Sequence, residues 1–483
     1  MEKSQLRQLI FSFSAAEKKE ARKFLESPFF NQRRDVLLLF DWFCANETTE
    51  SVSAKRHLFG EALVPDQELR LRMTYLHRLL ERYIAQKEME SDEVAMRLHL
   101  LSGYRKRGLA PQFERVRKGL EKTLDNSHLR DANYHESLFG LHWETHQRTH
   151  VLNPTDLGHL RAASVAADAA YITLKLRLIC LLTAHQMLYV ADSHSAWEAE
   201  VIDFAEKNFT RTQPAVAVYL YCYRMMRYPE DERHFQQFKQ LLLGDSGIFP
   251  KEEMHGLFIW AANYCVRRLN KGEKRYFQEV LDLYKPGLES GYLLENGVLP
   301  RFTYHNVVAA GLQTGDHEWV SYFIQQYKNS LEKPYRESAF SFNLARLEFA
   351  RKNYGAVLDL LQKANYRDIL VNLATKTLLL KTYYELDEFD LLQSHLDAMH
   401  NYITRKRVIG YHRANYLNII RYASRLLGVQ FSNKTELEKL RAEKEDLLKL
   451  LESDTLLRRL VIKEIKADAL KHGDDRRTLI EAA

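Results

Sequence analysis

Residues that break helices are scarce in this chain. Among its 483 residues, 19 are glycine and 10 are proline, about half or less of their usual shares of about 7% and 5%. Both disfavour a helix interior, glycine through its conformational freedom and proline through its missing N–H group. The prolines mostly lie between apolar-periodic runs, where a helix must end. The composition therefore favours an all-α protein.

Cysteine is also rare. The four cysteines are far apart and include no C-x-x-C pair, so the sequence indicates neither a zinc ribbon nor a disulfide framework. We expect all four to be small, buried apolar residues: Cys44, Cys180, Cys222 and Cys265.

Long apolar runs are absent as well. The best, "LICLLTAHQMLYVA", contains Thr183, His185 and Gln186 and falls short of the about 18 uninterrupted apolar residues of a membrane-spanning helix. The first residues, "MEKSQLRQLIFSF", include an acid and an arginine and lack the apolar core of a signal peptide. We therefore expect a cytoplasmic protein with no membrane partner.

Motifs for catalysis and cofactor binding are missing too. The chain contains no G-x-x-x-x-G-K-[ST] phosphate loop, no G-x-G-x-x-G after a strand and no G-x-S-x-G elbow. We expect no enzyme activity, no cofactor and no small-molecule substrate. A catalytic site assembled from distant helices is the alternative, since such a site leaves no local motif.

The first ninety residues carry clear helix signals. Ser14 and Glu17 fit an S-x-x-E capping box, which opens the helix "AAEKKEARKFLE". The run "RRDVLLLFDWFCA" is apolar on several faces and should be buried. A third helix, with Asp66 as its N-cap, places five apolar residues on one stripe by steps of three and four: Leu69, Met73, Leu76, Leu80 and Ile84. Residues 1–92 are predicted to form a small helical N-terminal domain.

Helical hairpins are predicted to follow. The aromatics Trp319, Tyr354 and Phe389 lie 35 residues apart, each at the turn into a helical run. Ala310 and Ala345 repeat at the same step in the preceding helices, where a small residue lets two helix axes approach. This period is close to the 34 residues of tetratricopeptide repeats.

One segment resembles such a repeat directly. "NLARLEFARKNYGAVLDLLQKA" has Ala345, Leu361 and Ala364 at positions where the family prefers small or bulky apolar residues. It departs from the family at Val357, where a small residue is usual, and the next copy has Leu380 in place of the small residue. The resemblance covers about 100 residues and implies the fold, a tetratricopeptide-like α-solenoid.

Three longer phrases resemble an uncharacterised family of tetratricopeptide-like proteins common in Bacteroidota. They are "KKEARKFLESPFFN" (18–31), "LRLRMTYLHRLLERYI" (69–84) and "AADAAYITLKLRLICLL" (166–182). This resemblance implies the same fold and a bacterial cytoplasm, and it transfers no site residues.

These patterns predict an α-solenoid of about ten stacked hairpins over residues 93–432, most repeat-like at 300–400. Residues 433–483 should form a capping helix pair, because Thr435 and Glu438 fit a second capping box. Four leucines then share one face: Leu437, Leu440, Leu447 and Leu451. A coiled coil that binds a partner is the alternative reading of this helix.

Positive charge is concentrated near the C-terminus. Between Asp397 and Glu436 there is no acid. The cations there are Arg405, Lys406, Arg407, Arg413, Arg421, Arg425 and Lys434, interleaved with Tyr402, Tyr411, Tyr416 and Tyr422. Cations that pair with phosphates and aromatics that stack on bases suit RNA or single-stranded DNA. The alternative is that the tyrosines are core residues and the arginines face water or acidic neighbours.

Histidines form a second pattern. His135, His142, His146 and His150 fall on one face of a single predicted helix. Two histidines four apart can share a metal ion, and His142, His146 and His150 are candidate ligands. A third ligand would have to come from another helix, and the glutamate of an H-E-x-x-H motif is missing. A polar stripe facing a groove is the more typical role for such a pattern.

Together these features predict a non-catalytic scaffold or adaptor that binds peptides or helices of another protein on a concave α-solenoid surface. Nucleic-acid binding through residues 402–425 is the second hypothesis. A third is a regulator whose N-terminal helices act on an effector, although no helix-turn-helix pattern precedes residue 90.

Overall fold

The protein is all-α, as its composition predicts. The computed structural model describes residues 4–46, 51–60, 64–188, 197–244, 247–362, 369–405 and 410–427. Within these ranges the chain forms twenty-one α-helices and one 3-10 turn, with two isolated β-bridges and no strand. None of the described helices has the length and apolar character needed to span a membrane.

The described residues pack as two compact units, one within residues 1–127 and 136–166, the other within residues 128–135 and from 167 to 427. The first unit contains seven whole helices: α1 (Gln5–Ser12), α2 (Ala15–Glu26), α3 (Arg34–Ala45), α4 (Ser51–Phe59), α5 (Asp66–Ser91), α6 (Glu93–Lys106) and α7 (Ala110–Asp125). Two long helices contribute to both units: α8 (Ala132–Leu152) and α9 (Gly158–Leu188). The predicted domain limits at 92 and 432 remain predictions.

The core of the first unit follows the sequence signals. The Ser14 hydroxyl accepts from the Glu17 N–H and the Glu17 carboxylate accepts from the Ser14 N–H, so the predicted capping box is confirmed. Helix α3 buries most of its apolar residues, and α5 adds its predicted stripe to the same core. Asp66 is wrong as the N-cap: Pro65 takes that position, and the Asp66 carboxylate pairs with the Lys55 ammonium at 2.5 Å.

Beyond α9, the second unit is a succession of paired helices: α10 (Glu198–Asn208), α11 (Pro214–Arg227), α12 (Glu232–Gly244), α13 (Lys251–Asn270), α14 (Tyr276–Glu289), α15 (Arg301–Gln313), α16 (His317–Gln326), α17 (Arg336–Ala350), α18 (Tyr354–Gln362), α19 (Ile369–Glu385), α20 (Phe389–Arg405) and α21 (Gly410–Leu427). Neighbours in sequence pack against each other, most closely in the pairs α11 with α12, α13 with α14 and α17 with α18.

The turn that joins several hairpins is the same each time. After the first helix one residue has a positive φ, and the next residue's N–H bonds a carbonyl five positions back, which is the Schellman arrangement. This residue is Gly272 between α13 and α14, Gly315 between α15 and α16, Lys352 between α17 and α18, and Asp387 between α19 and α20. The steps between these residues are 43, 37 and 35, so the fixed 35-residue period holds only for the last pair.

Ala310 and Ala345, the small residues that the sequence selects, are both buried. A close approach of two helices lies one residue beyond Ala310: a Cβ added to Gly311 would lie 2.3 Å from Cγ2 of Val320. Helix α15 therefore meets α16 along a surface that admits only glycine at this position.

Two predictions need correction, and one lies outside the described residues. Cys180, Cys222 and Cys265 are buried as expected, but Cys44 is exposed, because α3 turns this position to solvent. From residue 93 to 427 the described chain has sixteen α-helices, about eight pairs rather than ten, since α8 and α9 are longer than repeat helices. The predicted capping pair at 433–483 lies beyond the described ranges.

Candidate functional site

Helix α9 has two apolar faces in the second unit. One is buried in the main core of that unit and includes Ala169, Ile172, Leu176, Ile179 and Cys180. Since a helix on the surface of a folded unit needs only one such face, the opposite face requires its own explanation.

The opposite face carries four large apolar side chains in solvent. Tyr171 is 46% exposed, Leu174 and Leu178 are each 45% exposed, and Leu181 is 46% exposed. Steps of three, four and three residues place them on one stripe, which is about 15 Å long at a rise of about 1.5 Å per residue. We call these four residues the α9 apolar face.

A buried polar cluster fixes the orientation of α9. The Arg177 guanidinium donates to Oε1 of Glu253 on α13 at 2.6 Å. The Tyr219 hydroxyl on α11 donates to Oε2 of the same carboxylate at 2.5 Å, and the Cys180 thiol donates to the Tyr219 carbonyl at 3.3 Å. These bonds tie α9 to α11 and α13, so they fix which side of α9 the core covers.

Burial shapes the chemistry of this cluster. It raises the pKa of Glu253, partly offset by the Tyr219 hydroxyl and by the charge of Arg177. Burial, together with the Glu253 carboxylate, raises the pKa of Tyr219 far above its ordinary value. Tyr219 therefore remains a hydrogen-bond donor throughout the physiological pH range, and the cluster acts as a structural tie.

Charge next to the α9 apolar face is mixed, because exposed Asp168 lies two helical turns before Lys175 on the same flank. The sequence has no acid between Ala169 and Leu188, and its only Lys or Arg residues there are Lys175 and Arg177. Lys175 makes no ion pair in the part of the chain that the structure describes. The Arg177 side chain is 39% exposed although it binds Glu253. A molecule covering the stripe would thus meet one unpaired cation, Lys175, and a guanidinium that is already bound to a carboxylate.

Sequence reasoning missed this face. The segment was noted only as a long apolar run and as part of a resemblance. The available signal was the spacing of Tyr171, Leu174, Leu178 and Leu181. That spacing lies beside a second apolar set, and sequence alone does not show which of the two sets the core covers.

The predicted histidine stripe divides between the two units. In the first unit, Nδ1 of His142 lies 3.2 Å from Nδ1 of His159, a residue that the sequence analysis did not select. One ring donates its N–H to the other. Burial, and then the neighbouring His159, lowers the pKa of His142. A metal site would need a ligand from another helix in addition to two histidines of α8, and His159 is on α9.

The remaining histidines do not complete a ligand set. His146 is buried with an Nδ1 that lacks a hydrogen-bond partner, and His150 is exposed with its ring 5.3 Å from that of His146. His135 is buried and belongs to the second unit. Among the described residues, no three His, Cys, Asp or Glu side chains are grouped to hold a metal.

The basic segment near the C-terminus is described in part. Arg405, Arg413 and Arg421 are exposed. Lys406, Arg407 and the Arg425 side chain lie outside the described residues. The exposed arginines fit both hypotheses for the segment, phosphate binding and a solvated face.

Two tyrosines of this segment have structural roles. Tyr416 is 2% exposed and belongs to a core cluster of α19 to α21. Tyr402 is half-buried, with the Lys376 ammonium 5.4 Å from its ring centre. Tyr416 therefore presents no open face to a base. The side chains of Tyr411 and Tyr422 lie outside the described residues, and nucleic-acid binding by residues 402–425 stays a prediction.

Comparison of the chain with protein-family models, with curated proteins and with solved structures yields no match. The α9 apolar face is therefore interpreted from its own chemistry.

Proposed function

We propose that this protein is a non-catalytic scaffold or adaptor of the cytoplasm that binds a helix of another protein on the α9 apolar face. The observation that carries the proposal is the exposure of four large apolar side chains on one stripe of a single, firmly anchored helix. Contiguous exposed apolar surface of this kind is typical of interaction sites, whereas single exposed apolar residues are ordinary.

The energy available from covering this face is substantial. Complete burial of a leucine or aromatic side chain contributes about 1.5–3 kcal/mol. Somewhat under half of the surface of each of the four side chains is exposed. Covering all four would therefore contribute about 3–5 kcal/mol to the free energy of binding. That contribution is large enough to dominate a specific complex, in which few residues carry most of the binding energy.

The hairpin architecture supports the same function. Stacked helical hairpins of the α-solenoid type present extended surfaces without a catalytic centre, and the resemblance to tetratricopeptide repeats led us to expect a protein partner. The proposal extends that expectation to one helix and one face.

A pull-down from the organism's own cells tests the proposal. Tagged wild-type protein is compared with Leu178→Asp, which places a charge in the middle of the face, and with Leu391→Asp on α20. Leu391 is a matched control because it is 51% exposed. Each sample is divided into nuclease-treated and untreated halves, and proteins and nucleic acid are quantified.

The proposal predicts a protein partner at near-stoichiometric yield that survives nuclease, is lost with Leu178→Asp and is kept with Leu391→Asp. Partners that are unchanged by Leu178→Asp would refute the role of the face. Recovery of RNA or DNA, with proteins that disappear after nuclease, would favour the basic segment instead.

A further inference from the structure

Arg267 on α13 is a half-buried cation that has no acid as a partner within the described chain. Its Nη1 donates to Sδ of Met187 on α9 at 3.4 Å, and a thioether sulfur is only a weak acceptor. The next residue, Arg268, binds the carboxylates of Glu230 and Glu273. Because a charge removed from water is costly unless it is paired, Arg267 lacks the anion that Arg268 has.

The helices around Arg267 supply no carboxylate on its side. Helices α11 and α15 contain no Asp or Glu, α13 has none after Glu253, and α9 has none after Asp168. Burial lowers the pKa of Arg267, and only the Tyr264 hydroxyl opposes this effect. A counter-ion for this guanidinium would therefore have to come from a bound molecule.

The acids of the neighbouring α14 act on the opposite side of α13. Glu279 and Asp282 both bind the Lys239 ammonium, at 2.7 and 2.8 Å. The same two carboxylates influence the buried thiol of Cys265, which lies two residues before Arg267 and thus points away from it. These acids are already paired and do not neutralise Arg267.

Two other side chains share the side of α13 that carries Arg267. Trp260, Asn263 and Arg267 follow one another at steps of three and four, so they form one stripe about 10 Å long. All three are intermediate between buried and exposed. The carboxamide of Asn263 has no hydrogen-bond partner among the described residues, and its Oδ1 is buried. Trp260 packs partly against the main core of the unit. We call these three residues the α13 stripe.

The chemistry of the α13 stripe selects a carboxylate. A guanidinium presents a planar fork of N–H groups that matches two carboxylate oxygens, and the amide N–H of Asn263 is one more donor. A single cation balances a single negative charge, whereas a phosphate dianion would leave one charge unpaired in a half-buried place. Trp260 adds apolar surface for the body of the same molecule.

We propose that the α13 stripe binds a small organic carboxylate with an apolar or aromatic body, held by its carboxylate on Arg267. The molecule is bound as a ligand and undergoes no reaction there. The α13 stripe shares no residue with the α9 apolar face, so this site goes beyond the proposed function and is tested separately from it.

Two probes that differ in one charge test the proposal: N-acetyl-L-phenylalanine and its neutral amide. Ligand-observed NMR titrations measure the affinity of the full chain for each probe at constant ionic strength. The proteins are the wild type, Arg267→Met, Arg267→Lys and Arg211→Met. Inorganic phosphate and acetate are added in turn as competitors.

Arg211→Met is the charge control, because Arg211 is an exposed cation of the same unit that makes no ion pair within the described ranges. Circular dichroism confirms that each variant is folded. Arg267→Lys keeps the charge and loses the planar fork, and it replaces Arg267→Met if that variant does not fold.

We expect the wild type to bind the carboxylate about tenfold or more tightly than the amide, since hydrogen bonds to a charged group contribute about ten- to hundredfold in affinity. Arg267→Met should remove this preference, Arg267→Lys should reduce it, and Arg211→Met should preserve it. Acetate should displace the probe more effectively than phosphate.

Equal binding of the acid and the amide, binding of neither, or a preference that survives Arg267→Met would refute the proposal. An equal loss in Arg211→Met would show a general effect of charge and would refute it as well. Phosphate that displaces the probe better than acetate would overturn the choice of a carboxylate. None of these results bears on the α9 apolar face, whose pull-down depends on Leu178.

Discussion

Replacing Gly311 with alanine tests how closely α15 and α16 pack. In a solvent-exposed helix interior, Gly→Ala stabilises by about 1 kcal/mol. At Gly311 the new methyl group would lie 2.3 Å from Cγ2 of Val320, which is fully buried. Relieving that contact requires the two helices to separate, and overpacking of this kind costs about 1–3 kcal/mol or more. We expect a net loss of about 1–2 kcal/mol in local stability.

Gly256→Ala is the matched control. Gly256 lies inside α13, and a Cβ added there meets nothing within 4 Å. This variant should gain about 1 kcal/mol from helix propensity alone. The two substitutions are chemically identical and should therefore have effects of opposite sign.

Hydrogen exchange followed by mass spectrometry is the suitable assay, because it measures opening free energies helix by helix in a chain of two units. In a Val320→Ala background, which removes Cγ2, the penalty of Gly311→Ala should largely disappear, giving a coupling of about 1 kcal/mol or more. Stabilisation of α15 by Gly311→Ala, equal to that of α13 by Gly256→Ala, would refute the close approach.

Three further predictions concern a turn, the polar cluster and the histidines. Lys352→Gly should stabilise α17 and α18 by about 0.5–1 kcal/mol in hydrogen exchange, because Lys352 has a φ of 63° that glycine adopts without strain; no gain would contradict the turn geometry. Glu253→Leu should lower the free energy of unfolding by about 1–3 kcal/mol, since it leaves the buried Tyr219 hydroxyl without its acceptor, whereas Glu253→Gln should lower it by about 1 kcal/mol or less. Equal losses for the two variants in thermal unfolding would contradict this ranking. Burial lowers the pKa of His142 and of His395 below 6.5. Because the unfolded chain then binds protons at a higher pH than the folded chain, the free energy of unfolding should fall as pH decreases through 6.5 toward the lower folded pKa. NMR titration of both rings checks the direction, and pKa values above 6.5 would refute it.

The helical class and many helix limits could be predicted because their causes are local. Ser14 and Glu17 satisfy each other's backbone groups whatever lies elsewhere in the chain. The aromatics Tyr354 and Phe389 begin α18 and α20 because the preceding turns end one helix and start the next. Glycine and proline act in the same local way.

The candidate site could not be predicted because its causes are not local. Tyr171 and Ile172 are adjacent and both apolar, yet one is exposed and the other is 4% exposed. The choice depends on where α11 and α13 pack. Likewise, the partner of His142 is His159, on the next helix, and the exposure of Cys44 depends on which side of α3 the core covers.

Site-directed photo-crosslinking in the organism's own cells tests whether a partner binds on the α9 apolar face. A photoreactive amino acid in place of Leu178 is compared with the same substitution at Leu391, and cross-linked products are identified by mass spectrometry. We expect one dominant adduct with another protein at position 178, through a helical segment of that protein, and none of it at position 391. No adduct at position 178, or the same adducts at both positions, would contradict a partner bound on the α9 apolar face.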